Sequence, residues 1–281
     1  MKIPKYWMRR EGDVQRPDGT PLRLFAWGWS DTSPREAEGR AGDRFRSLQQ
    51  RVSQGLELPR GYGYGDRPVR EQILEEISGS GDRPDAIVTR NSYGSVVLNA
   101  ARAMFVDVDL PETSGFSVKR MFGLGGGAKG QDAALDRLRA ALRDSGGATF
   151  RVYRTAAGFR LLATDREFAP ASSDAESVMR ATGADPAFVQ LCRVQESFRA
   201  RLTPKPWRVG EKPPPGQFPR DGRDQEAAFA AWLERYERAA ASKATCRFVE
   251  TVGSGWLHPE IAPIVRLHDE RTKAESDLPL A

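Results

Sequence analysis

Short apolar runs with a period of two alternate along this chain with longer stretches whose apolar residues recur every three or four positions. Strand-like patterns fall at Lys5–Arg10, Leu22–Trp29, Ala86–Arg90, Ser95–Asn99, Ala103–Leu110, Phe150–Arg154, Phe159–Thr164 and Thr245–Val252. The spacing predicts helices from Pro34 to about Gln54 and over Val69–Ile77, Asp132–Asp144, Asp174–Thr182, Pro186–Glu196 and Asp224–Ala241. Ser33 before Pro34 reads as a cap with a proline at the first helical position, and Gly55 as the stop. Arg16-Pro17-Asp18-Gly19 and Asn91-Ser92-Tyr93-Gly94 carry turn chemistry.

This order predicts one α+β protein with a mixed or antiparallel sheet and helices packed on it. Residues 1–84 read as an N-terminal hairpin-plus-helix appendage, 85–252 as the core, and 253–281 as a tail or short helix that docks through Ile261, Ile264, Val265 and Leu267. Tyr6, Trp7, Trp27 and Trp29 are assigned to the N-terminal core, and Phe229, Trp232, Leu233 and Tyr236 to one face of the last long helix.

The pattern at Met104-Phe105-Val106-Asp107-Val108-Asp109-Leu110 introduces candidate chemistry. Side chains alternate across a strand, so Phe105, Asp107 and Asp109 share one face. Two neighbouring carboxylates on a stiff strand suit a divalent cation, Mg²⁺ or Mn²⁺. The same pattern serves nucleotide-sugar glycosyltransferases, where the two acids grip manganese and a diphosphate. A solvated strand face, or caps for the turn begun by Pro111, is the plain structural alternative.

Charge adds a partner class. The net charge is +5, and of 43 basic residues eight are lysine and 35 arginine. Such a balance fits an anionic partner, and arginine is the better bidentate phosphate ligand. The segment from Ser197 to Arg208 holds Arg199, Arg201, Lys205, Trp207 and Arg208 with no acid. Its cations can neutralise phosphates of DNA or RNA while the indole stacks on a base. Arg90 and Asn91, just ahead of the acid strand, are placed to reach a nucleotide from a neighbouring strand end. The glycines from Gly123 to Gly130 with Lys129 form a loop whose spacing is not that of a Walker A motif. No apolar run approaches a membrane span, no secretion signal opens the chain, and Cys192 and Cys246 form no metal spacing. The expectation is a cytoplasmic protein with no membrane partner.

Asp107-Val108-Asp109, then a helix, then a hairpin bearing Ala157-Gly158-Phe159-Arg160-Leu161-Leu162, resembles the core of the archaeo-eukaryotic primase superfamily, including primase-polymerases, over roughly residues 86–207. The resemblance implies an RRM-like sheet and a metal-dependent nucleotidyltransferase acting on nucleic acid and nucleoside triphosphates. Asp107 and Asp109 would hold the metal and carry catalysis, and Arg160, with Arg154 and Arg90, would grip the triphosphate. Arg160 stands where the family has histidine. The family's third motif has no clear counterpart, Glu196 being the nearest acid. These departures support an alternative on the same scaffold, a non-catalytic protein that binds nucleic acid or nucleotide.

Overall fold

The computed structural model describes residues 1–58, 67–79, 84–110, 128–143 and 147–281, the side chains of 128–131 excepted. The glycine-rich stretches at 61–65 and 123–127 lie outside the described residues, as does the side chain of Lys129. The fold is α+β, with helices against antiparallel sheets. β1 (Tyr6–Gln15) and β2 (Pro21–Ser30) form a two-stranded hairpin, and α1 (Pro34–Ser53) packs on it. The Ser33 hydroxyl accepts from the Glu36 N–H and caps α1, as the sequence predicts. Val14, Leu24, Ala26, Phe45 and Val52 make a small core for this unit. Trp7 is buried, whereas Trp27 and Trp29 lie beneath the guanidinium groups of Arg70 and Arg44.

Two four-stranded sheets follow. The first runs in the order β3 (Gln72–Ser78), β4 (Pro84–Arg90), β5 (Val96–Ala100) and β9 (Phe198–Arg201). The second runs β10 (Cys246–Val252), β7 (Phe150–Thr155), β8 (Gly158–Ala163) and β6 (Phe105–Asp109). Here β6, α2 (Ala128–Arg143), β7 and β8 make a split β–α–β unit, with β8 inserted antiparallel between β6 and β7. That insertion puts the acid strand beside the hairpin strand carrying Arg160. Gly158 makes the approach possible: a Cβ there would lie 2.1 Å from the Val108 carbonyl oxygen.

Helices α3 (Ser173–Ala181), α4 (Pro186–Gln195), α5 (Gly222–Ala241) and α6 (Ala262–Thr272) complete the set among the described residues. Leu135, Leu138 and Leu142 of α2, Met179 of α3 and Val189 of α4 share one main core with both sheets. Phe229, Trp232 and Tyr236 of α5 form a third cluster.

Two expectations need correction. Val69–Ile77 is not a helix; most of it is the edge strand β3, paired with β4 through two register shifts. That pairing also draws residues 72–78 into the core sheet and out of the N-terminal unit. The sequence reading has no strand at Phe198–Arg201, yet β9 pairs with β5 there. The short helix expected within residues 253–281 is α6, and it docks as the pattern predicts: Ile261, Ile264 and Val265 are core residues, Leu267 packs against them, and His268 is wholly buried. Among the described residues no helix is long and apolar enough to cross a membrane.

Candidate nucleic-acid interface

The strand register sets Asp107 of β6, Arg160 of β8, Tyr153 of β7 and Phe248 of β10 in one row across the second sheet, on one face. α6 covers that face, placing the His268 ring 5.1 Å from Phe105 and 4.7 Å from Tyr153. Arg160 is only 1% exposed and Asp107 23%. The guanidinium grips the carboxylate with two bonds, Nε to Oδ1 at 2.8 Å and Nη2 to Oδ2 at 3.2 Å. Its third nitrogen, Nη1, donates to the Arg201 carbonyl at 2.7 Å and lies 3.5 Å from His268 Nε2. Behind it, Asp269 lies 3.0 Å from His268 Nδ1 and accepts from Arg151 at 2.6 Å. Arg151 in turn donates to the Tyr153 hydroxyl at 2.8 Å.

The electrostatics follow from this packing. Burial acts to raise the Asp107 carboxyl, but the attraction of Arg160 wins and holds it below the ordinary carboxylate range. Burial likewise opposes charge on Arg160, and Asp107 overturns it, so the guanidinium is held above its usual value. His268 has no such rescue: burial lowers it to about 4 despite its bond with Asp269, so the ring is neutral at pH 7. Burial also raises the Cys246 thiol to about 11, leaving it protonated beside His268, 3.8 Å away. A buried neutral imidazole accepting at Nε2 and donating at Nδ1 satisfies both neighbours.

Asp107 and Asp109 therefore do not make a metal site of this geometry. Both oxygens of Asp107 already accept from a cation. Asp109 is exposed at the strand end. Among the described residues no three His, Cys, Asp or Glu side chains gather to hold a metal ion. Glu196, the nearest candidate for a third acid, pairs with Lys2 instead. A divalent cation does not fit a cluster in which arginines already neutralise the buried carboxylate. Arg160 is correspondingly not available to a triphosphate. Its role is to tie the two sheets together through the Arg201 carbonyl.

The other predicted phosphate ligands divide. Arg199 is buried against Glu71 at 2.7 Å and Asn99 at 2.6 Å, an internal ion pair. Arg90 is buried too, donating to the Gly94 carbonyl at 2.9 Å with Glu237 at 3.5 Å. Arg154 pairs in register with Phe159, which places it on the face opposite Asp107 and Arg160. None of these three joins the acid row.

Arg201, Lys205 and Arg208 do come together. β9 delivers Arg201, and a 3₁₀ turn over Pro206–Arg208 brings Arg208 back towards it. Burial lowers the Arg201 pKa; Asp107 opposes that, while Arg160 and Arg208 add to it. Burial lowers Lys205 as well, with Arg201 and Arg208 contributing. No hydrogen bond or ion pair from these three side chains reaches another described residue; the nearby counter-charges are Asp107, already engaged, and Asp109. Trp207 projects beside them, 48% exposed. It meets Tyr93, 49% exposed, edge-on with ring centroids 5.5 Å apart, and Lys205 Nζ lies 5.4 Å from the indole centroid. In the sequence Tyr93 shows only as one residue of a tight turn. That turn is real. The Asn91 side chain accepts from the Tyr93 and Ser95 N–H groups, and Gly94 has φ +91° with Trp232 packed where a Cβ would stand. The turn carries Tyr93 outward to Trp207.

Comparison with known proteins adds no relative to this geometry: no family model, no curated protein and no solved structure matches the chain.

Proposed function

We propose that the protein binds single-stranded nucleic acid through Arg201, Lys205, Arg208, Trp207 and Tyr93, on a scaffold whose acid strand serves architecture and not metal chemistry. One observation carries the reading: three cations crowd together, two with pKa values lowered by burial and mutual repulsion, and none has an anionic partner of its own among the described residues. Holding like charges together costs free energy that a phosphate backbone would recover. The exposed Tyr93–Trp207 pair beside them offers the aromatic surface on which unpaired bases stack. Duplex stacking hides those base faces, so a single strand is the form this surface suits. A cytoplasmic location goes with this reading and with two buried, unpaired cysteines.

Fluorescence anisotropy with labelled single-stranded DNA and RNA tests it. Binding should weaken linearly on a log–log plot against salt and persist in EDTA. Binding abolished by chelation, or nucleotide incorporation that needs Mn²⁺ and Asp107, would return the two aspartates to a metal and remove this reading.

A further inference from the structure

A second basic feature lies on the other side of the Asn91–Gly94 turn. Arg70, Arg90 and Arg220 line one pocket together with Gln72, Asn91 and Ser92. The void is shallow. About 280 Å³ is empty when the open mouth is included, with room inside for little more than one water-sized group.

Its arginines are built in and not surface decoration. Arg90 and Arg220 have side chains only 8% and 6% exposed. Arg220 donates to Gln72 and Glu226, both at 2.9 Å, and stacks 3.7 Å over Phe229. Arg70 lies 3.9 Å over Trp27 and donates to the Gln217 side chain at 2.6 Å, while its Nε is buried with no hydrogen-bond partner among the described residues. The paired acids, Glu237 and Glu226, are both mostly exposed and so screened by water. Burial takes Arg70 down to about 10, with further repulsion from Arg67 and Arg9. Three guanidinium groups around one void, whose ion-pair partners among the described residues are exposed glutamates, are set for an oxyanion.

The chain connects this pocket to the aromatic pair. Ser92 lines the pocket and the next residue, Tyr93, touches Trp207. Consecutive Cα atoms are about 3.8 Å apart. We infer that the Arg70–Arg90–Arg220 pocket is a second phosphate subsite, which takes a phosphate of the same strand that stacks on Trp207 and Tyr93. This rests on the nucleic-acid reading above. The shallow void suits one or two phosphate oxygens inserted from a strand whose ester linkages stay in the mouth.

The test uses Arg70→Gln, because Arg70 is only partly buried and the change keeps a donor. Inorganic phosphate is titrated by calorimetry against chloride at matched ionic strength. Anisotropy of a single-stranded oligonucleotide is followed over salt, and circular dichroism verifies folding. The wild type should bind phosphate saturably. Arg70→Gln should weaken that binding at least tenfold, weaken the oligonucleotide severalfold and lower its salt slope by about one. Trp207→Ala should weaken the oligonucleotide and leave phosphate binding unchanged. Phosphate binding that is absent, or equal in wild type and Arg70→Gln, overturns the subsite. Phosphate binding lost in Arg70→Gln with an unaltered oligonucleotide salt slope overturns its assignment to the strand and leaves a site for free phosphate. Failure of the nucleic-acid reading looks different: no oligonucleotide binds, whatever the phosphate titration gives.

Discussion

Arg160 and Arg201 are close in space and alike in chemistry, yet the fold uses them in opposite ways. Arg160 lies under α6 with Asp107 taking two of its nitrogens and the Arg201 carbonyl a third. Arg201 stands at the edge of the same cluster with its guanidinium unmatched among the described residues, pressed towards Arg208 and Lys205. One arginine is spent on holding two sheets in register. The other, with its neighbours, presents surplus positive charge beside two exposed aromatic rings. Residue type does not separate the two roles; the presence of a carboxylate in register and a helix overhead does.

The comparison breaks most sharply at Asp107. Asp107→Ala should cost about 3–5 kcal/mol, because it leaves a buried guanidinium without its anion. Urea denaturation reads the loss. The double change Asp107→Ala with Arg160→Met should regain most of it, since an apolar pair removes the orphaned charge. An Asp107→Ala protein of undiminished stability would deny the ion pair its structural role.

Acid titration probes the same cluster from a different group. His268 titrates near 6.5 when unfolded and about 4 when folded, so between those values only the unfolded chain takes up its proton. Its contribution is intact above pH 6.5 and is lost as pH falls towards 4, by roughly 3 kcal/mol. The lowered Asp107 and Asp269 carboxyls lose stability in the same direction at still lower pH. His268→Gln should flatten the upper part of this fall, measured as denaturation midpoint against pH.

On the other side of the comparison, Trp207→Ala should weaken binding of a single strand by about 1–3 kcal/mol and leave the denaturation midpoint almost unmoved. The smallest effect belongs to Lys205→Gln: a few-fold loss of affinity and a salt slope reduced by about one, equal across base sequences. Strong base preference in that loss would contradict a backbone contact.

Much of this arrangement is legible residue by residue. Strict alternation at 105–109 sets Phe105 and Asp107 on one face, and Ser33-Pro34 marks a helix start that the structure realises with a side-chain cap. Phe229, Trp232 and Tyr236 at helical spacing do form one packed face. β3 resisted because Gln72-Ile73-Leu74-Glu75-Glu76-Ile77 has helix-like spacing, and only its ladder with β4 makes it extended. β9 resisted because Phe198-Arg199-Ala200-Arg201 is too short and basic to read as a strand; Glu71, distant in sequence, neutralises Arg199. The run of basic residues at 199–208 stands out in the sequence, but nothing local separates Arg199 from Arg201.

By itself the amino-acid order determined the α+β class, most helix limits and the shared face of the two aspartates, because these depend on periodicities that act over a few residues. It also marked Lys205, Trp207 and Arg208 as a cationic, aromatic stretch. Only the tertiary structure decided that Asp107 belongs to Arg160, that His268 lies sealed beneath them, and that Tyr93 meets Trp207. Those partners sit 53, 161 and 114 positions apart in the chain. Whether a charge is neutralised or left over depends on which side chains the sheet register and the covering helix bring within a few ångströms, and no local pattern encodes that.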